Sequence, residues 1–87
     1  MTKIYIYCLF DHRDTFLGVY SSIKSAHRDA LKLCNVGHAP VFIKVDGEYQ
    51  TPSLTLLRNL FKGELDVKVK YISSNESVEI IKTKLKE

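Results

Sequence analysis

Glycine is scarce in this chain and never clustered. Its four glycines, Gly18, Gly37, Gly47 and Gly63, stand alone, so no glycine-rich loop is available to cradle a phosphate on consecutive backbone N–H groups. Cysteine is scarcer still. Cys8 and Cys34 form no Cys-x-x-Cys pair, and each lies in an apolar segment. They read as buried free thiols rather than as a disulfide or a redox couple. His12, His27 and His38 combine with them in no metal-ligand spacing. No run approaches the ~18 apolar residues of a membrane span, and Asp11, His12 and Arg13 break the opening apolar segment before it could act as a signal peptide. There is no C-terminal Gly-Gly, internal repeat, linker or low-complexity tract. These absences lead us to expect a reducing, cytoplasmic setting, no membrane partner, no metal, no cofactor and no complete catalytic motif.

What is present is a chain of 87 residues, 45% hydrophobic and 26% charged, the composition of one globular domain with a modest core. Thirteen basic and ten acidic residues leave a net charge of +3. That excess permits a polyanionic partner without requiring one.

Lys3–Phe10 is β-branched and aromatic and predicts a strand. A polar connection, DHRDT, leads to a returning strand, Phe16–Tyr20. Ser21 or Ser22 then caps a helix whose apolar face carries Ile23, Ala26, Ala30, Leu33 and Cys34, with Asn35 and Gly37 as stop signals. A strand Val41–Val45 follows. Asp46-Gly47 is a strong hairpin signal, so Glu48–Gln50 should return as a short strand. Thr51-Pro52 should start a second helix, with Leu54, Leu57, Leu60 and Phe61 inward and Gly63 at its end. Asp66–Ile72 alternates Val67, Val69 and Tyr71 against Lys68, Lys70 and Ile72, as a strand does. Ser73 and Glu76 match a capping box and predict a C-terminal helix, with Val78, Ile81 and Leu85 inward and Lys82 and Lys86 outward.

The expected fold is therefore a single α+β domain over 1–87, in the order ββαββαβα, with a β-grasp-like mixed sheet. A ferredoxin-like sheet or an irregular sheet with helices on both faces are the alternatives. Ile6 and Leu57 are expected core residues.

The first strand is apolar on both faces. If helices pack under Ile4, Ile6, Cys8 and Phe10, then Tyr5, Tyr7 and Leu9 look the other way, and pairing with the fifth strand would set Lys68 and Lys70 beside them. This surface has three readings. It is a face covered by the C-terminal helix, a protein-binding or self-association face, or a platform on which single-stranded RNA or DNA stacks its bases while lysines meet its phosphates. Lys24, Arg28 and Lys32, at i, i+4 and i+8, form a basic stripe on the first helix, either a solvated face or an alternative binding surface. His27 falls on the apolar side of that helix, where a structural role with one satisfied nitrogen outweighs a ligand or a Cys34–His27 nucleophile pair. Asp11, His12 and Asp14 crowd the first turn, where turn chemistry favours aspartate in any case.

The stretch FLGVYSSIKSAHRDALKL, with the strand before it, resembles the hairpin-then-helix opening of many small uncharacterised proteins of large lytic bacteriophages. The shared pattern is a strand, Gly-Val-Tyr/Phe-Ser-Ser, then a helix with alanine near its first turn. It covers about the first third of the chain. The resemblance implies a small accessory or inhibitor protein that binds a host factor in the host cytoplasm; it supplies no active-site residues.

Overall fold

The computed structural model describes residues 5–45, 47–62 and 68–84. Lys3, Ile4, Asp46, Gly63, Asp66, Val67, Leu85 and Lys86, which entered the expectations above, lie outside them. Strand β1 (Tyr5–Asp11) turns back as β2 (Phe16–Tyr20). Asp11 holds that turn, its Oδ1 accepting from the backbone amides of Arg13 at 2.8 Å and Thr15 at 2.9 Å. Helix α1 (Ile23–Cys34) is capped by Ser22, whose Oγ accepts from the Ser25 amide at 3.2 Å. A 3-10 turn, Val36–His38, leads into β3 (Phe42–Val45) and β4 (Glu48–Gln50). Between these two strands Gly47 takes φ 83°, the left-handed value a tight hairpin turn needs and glycine reaches without strain. Helix α2 (Leu54–Leu60) is capped by Ser53, its Oγ 3.1 Å from the Leu56 amide. Pro52 thus precedes the cap instead of occupying the first turn.

Strand β5 (Lys68–Ile72) is followed by β6 (Ser77–Lys84), not by the expected helix. The reason lies in the turn between them. Ser73 Oγ accepts from the amides of Asn75 and Glu76 at 3.2 and 3.1 Å, and the Ser73 amide donates to the Glu76 carbonyl at 2.9 Å. A serine oxygen satisfies N–H groups two and three residues on, whether a helix or a hairpin follows. Val78, Ile80, Ile81 and Thr83 are β-branched, and they settle the segment as strand.

The domain is α+β, with one six-stranded sheet in the order β2-β1-β6-β5-β3-β4. Every ladder is antiparallel. The first strand does pair with the last, as in a β-grasp, but antiparallel and with β6, so the mixed sheet is replaced. The strand order also departs from the ferredoxin-like alternative. Both helices lie on one face, which removes the arrangement with helices on each side: α1 packs on β1, β2, β5, β6 and α2, and Leu57 of α2 and Phe61, its C-cap, share one core with Tyr7, Leu9, Ala26, Ala30, Cys34, Ile43, Val69, Tyr71, Val78 and Ile80.

Cross-strand register distributes the side chains. Leu9 pairs with Ile80 and Ile80 with Val69, while Val78 pairs with Tyr71 and Tyr71 with Ile43. These rows are buried beneath the helices. Paired residues share a face, so Cys8, Ile81 and Lys68 form a row on the other side. The expected orientation of β1 is therefore reversed: Tyr7 and Leu9 point to the helices, and Ile6, Cys8 and Phe10 point away. Lys68, Lys70 and Glu79 explain the choice. Register ties them to the Cys8 side, and charged groups without partners are too costly to place beneath a helical layer. Leu33, expected inward, is 40% exposed.

Leu57→Ala and Leu9→Ala should each cost about 2–5 kcal/mol of unfolding free energy. Ile6→Thr, on the half-buried outer face, should cost less than ~1 kcal/mol. Denaturant titration of the three variants checks this, and a loss at Ile6 equal to that at Leu9 would overturn the assignment of faces.

Candidate functional site

With both helices on one side, the opposite face of the sheet is uncovered by any described element. It has two chemically distinct halves. The β2–β1–β6 half is apolar. Ile6, Cys8 and Phe10 are half-buried on β1, and Ile81 sits beside them on β6. On the edge strand β2, Phe16 is 55% and Val19 52% exposed. The Phe10 and Phe16 rings meet edge to face with centroids 5.7 Å apart, where a register shift between Leu9 and Phe10 makes Leu17 an extra residue in β2. Such a bulge bends an edge strand and discourages sheet-to-sheet pairing.

The β5–β3–β4 half is basic and aromatic. Phe42 pairs with Ile72, and Lys44 with Tyr49. Lys68 and Lys70 stand exposed on β5. The Lys44 Nζ lies 5.8 Å from the centre of the Tyr49 ring, within cation–π range. An open depression of about 490 Å³ is lined by Pro40, Phe42, Tyr49, Ile72, Ser73 and Ser74.

The predicted partner-binding set is divided by this arrangement. Leu9 is fully buried and Tyr7 is 8% exposed. The Tyr7 ring meets Phe61 edge to face at 5.5 Å. Tyr5 shares their face and carries Lys82 Nζ over its ring at 4.5 Å. Lys68 and Lys70 are on the opposite side of the sheet, because register through β6 places them in the rows of Cys8 and Phe10. The structure therefore does not bring Tyr5, Tyr7 and Leu9 together with Lys68 and Lys70. Phe16, Val19, Phe42 and Tyr49 were missed as surface residues. A signal for two of them was available: a two-residue Asp46-Gly47 turn sets Lys44 opposite Tyr49, and Phe42 shares the parity of Lys44.

Lys24, Arg28 and Lys32 lie together on the exposed side of α1, as expected. Arg28 Nε leans 3.6 Å from Asp29 Oδ1, and Asp29 also accepts from the Tyr20 hydroxyl at 2.7 Å. That hydroxyl, first among several causes, holds the Asp29 carboxyl below its usual range.

Lys82, expected on a solvated helix face, is buried, and its Nζ donates to the Phe61 carbonyl at 2.6 Å. An ammonium at the end of α2 satisfies a carbonyl that the helix itself leaves open. His27 lies 2.5 Å from the Tyr71 hydroxyl through Nδ1. Burial pushes the imidazole pKa down and the phenol pKa up. Cys34 Sγ instead donates to the Glu76 carbonyl at 3.3 Å, so the candidate nucleophile pair is engaged separately. His12 joins Glu76, 64 residues away, at 2.5 Å through Nδ1. Arg13 Nε donates to His12 Nε2 at 3.3 Å, which leaves the Nδ1 proton for Glu76. Among the described residues, no group of His, Cys, Asp and Glu is arranged to hold a metal ion, and no helix is long and apolar enough to cross a membrane.

Burial raises the pKa of both thiols, but Cys34 is enclosed while Cys8 is half-buried on the uncovered face. A thiol reagent should label Cys8 slowly in the native protein and Cys34 only on unfolding; native labelling of Cys34 at the rate of Cys8 would contradict the packing. The Ser77 amide, first, and then His12 hold the Glu76 carboxyl below its usual value. A depressed carboxyl stabilises the fold above its unfolded pKa of ~4.3 and loses that contribution as pH falls through the folded value. Wild type should therefore be more stable than Glu76→Gln at neutral pH, with the gap closing as pH falls below the usual carboxylate range; a gap of constant size in thermal melts would show that the carboxylate carries no such stability. Comparison of the chain with protein-family models, with curated proteins and with solved structures finds no match.

Proposed function

We propose that this protein acts by binding another protein chain rather than by catalysis, and that the β2–β1–β6 half of the uncovered sheet face is the contact. One observation carries the reading: Phe16 and Val19 stand more than half exposed, next to Phe10, Cys8, Ile6 and Ile81, in a region where Glu79 and Thr83 are the polar neighbours on β6. A contiguous apolar patch of this kind marks an interaction surface more often than a solvated one. The aromatic pair Phe10–Phe16 supplies the rigid anchor that interface centres favour. An accessory or inhibitor protein acting on a host factor, as the phage-like opening of the chain implies, would work in this way. The bulged β2 edge directs a partner to the face rather than to the strand edge.

Replacing Phe16 and Val19 together by Ser should leave the fold intact, because both side chains are largely exposed already. Association should weaken at least tenfold, corresponding to a hot-spot loss of about 2 kcal/mol or more. Sedimentation over a concentration series reads self-association. Capture from a host extract with and without nuclease, followed by a titration with the purified captured protein, reads a heterologous partner. A folded double variant that associates as the wild type does would move the function off this surface, with Lys24, Arg28 and Lys32 the next to replace.

A further inference from the structure

We infer that the other half of the uncovered face, β5–β3–β4, binds a single strand of nucleic acid, with bases stacked on Phe42 and Tyr49 and phosphates held by Lys44, Lys68 and Lys70. This goes beyond the protein-binding reading and does not depend on it.

The rings come first. Phe42 is 42% and Tyr49 61% exposed. Both belong to short strands, with Tyr49 opposite Lys44 and Phe42 two residues before Lys44 on the same side. The rings are therefore diagonal neighbours across one hairpin, at the ~7–8 Å spacing of such positions. Exposed rings on one face offer a platform on which unpaired bases stack whatever their identity.

The charges come second. Phe42 pairs with Ile72, so Lys44, two residues after Phe42, and Lys70, two residues before Ile72, share one face of neighbouring strands. Lys68 lies two residues along the same strand and face. Ammonium groups gathered on one face repel one another, and an anion lying among them relieves that repulsion. Among the described residues, Glu79 is the carboxylate on this face, opposite Lys70, so the ammonium groups outnumber the carboxylates. Lys44 beside the Tyr49 ring is placed to meet the phosphate that flanks a base stacked there.

Shape comes third. The depression bounded by Phe42, Tyr49, Ile72 and Pro40 is open and apolar, with Ser73 and Ser74 at its rim. An open sheet face with exposed rings can carry the splayed bases of a single strand, which a duplex keeps stacked on one another. An acidic peptide would use the lysines and leave the rings idle.

The test is fluorescence anisotropy of a labelled single-stranded oligouridylate and a matched duplex, titrated with the full chain between about 50 and about 200 mM salt. The single strand should bind more tightly than the duplex. Its affinity should fall with salt on a log–log slope of about −2, at ~0.7 per phosphate met by each lysine. Tyr49→Ser should weaken binding about five- to a hundredfold and leave the slope in place. Lys44→Gln and Lys70→Gln should each flatten the slope by about 0.7. Phe42→Ser repeats the ring test, and Tyr49, the more exposed ring, keeps that test valid if the Phe42 variant does not fold. The Phe16→Ser/Val19→Ser variant, altered on the far half of the face, should bind the oligonucleotide as the wild type does. The inference is overturned by an absence of binding at low salt, by equal binding of the duplex, by polyglutamate competing as well as the oligonucleotide, by ring variants of unchanged affinity, or by loss of binding in the Phe16/Val19 variant.

Discussion

Everything else in this domain hangs on the antiparallel ladder between β1 and β6, which runs from Tyr5 opposite Lys84 to Asp11 opposite Val78. It joins the β1–β2 hairpin to the β5–β3–β4 block, and it decides what each face of the sheet presents. In this register Leu9, Ile80 and Val69 form a row beneath α1 and α2, and Cys8, Ile81 and Lys68 form the row behind it. A slip by one residue would turn β1 over relative to the rest of the sheet and set its buried Tyr7 and Leu9 beside lysines. The charges on β5 and β6 thus act as a register lock, since the sheet has one orientation in which Lys68, Lys70 and Glu79 all keep water.

The helical layer follows from the same constraint. Ala26 and Ala30 are fully buried, and small side chains let α1 lie close on the strands, where larger ones would hold it off. Helix α2 is only seven residues long, too short to be stable alone. It is held by Leu57 and Phe61 in the core and by the Lys82 ammonium at the Phe61 carbonyl. The two turns at the far end of the sheet are tied by His12 and Glu76, while Ser73 Oγ reaches the Cys34 carbonyl at 2.7 Å and fixes the end of α1 to the β5–β6 turn. The helical side is stapled at several points; the other side carries no described cover at all.

What could be read in the sequence was what is decided locally. A helix cap at Ser21 or Ser22, Gly47 as a hairpin residue and the alternation of Val69 and Tyr71 against Lys68 and Lys70 all depend on a few neighbouring residues; the structure places the cap at Ser22 and agrees with the other two. The segment from Ser77 was misread because Val78 and Ile81 fit a helical spacing and Val78 and Ile80 a strand spacing equally well, while Ser73 caps a turn as readily as a helix. The orientation of β1 was not legible, because Ile6, Cys8 and Phe10 are as apolar as Tyr5, Tyr7 and Leu9, and the choice is made by residues on β6 and β5. The error passed straight to the candidate site. Lys68 and Lys70 are on the surface as expected, but their neighbours are Ile81, Ile72, Phe42 and Lys44 instead of the tyrosines of β1.

The central position of the β1–β6 ladder also bears on synthesis. A ribosome emits β1 long before β6, so Leu9 has no Ile80 to pair with while the intervening segments emerge. During that interval β1 is an apolar strand with one neighbour, β2, and both of its faces are sticky. Pairings between residues so far apart in sequence close slowly, because the loop entropy is lost before the contacts form. The nascent chain therefore passes through a period in which an apolar strand lacks one of its two partners. Yield in cells should depend on how fast β6 is delivered as well as on how stable the finished domain is.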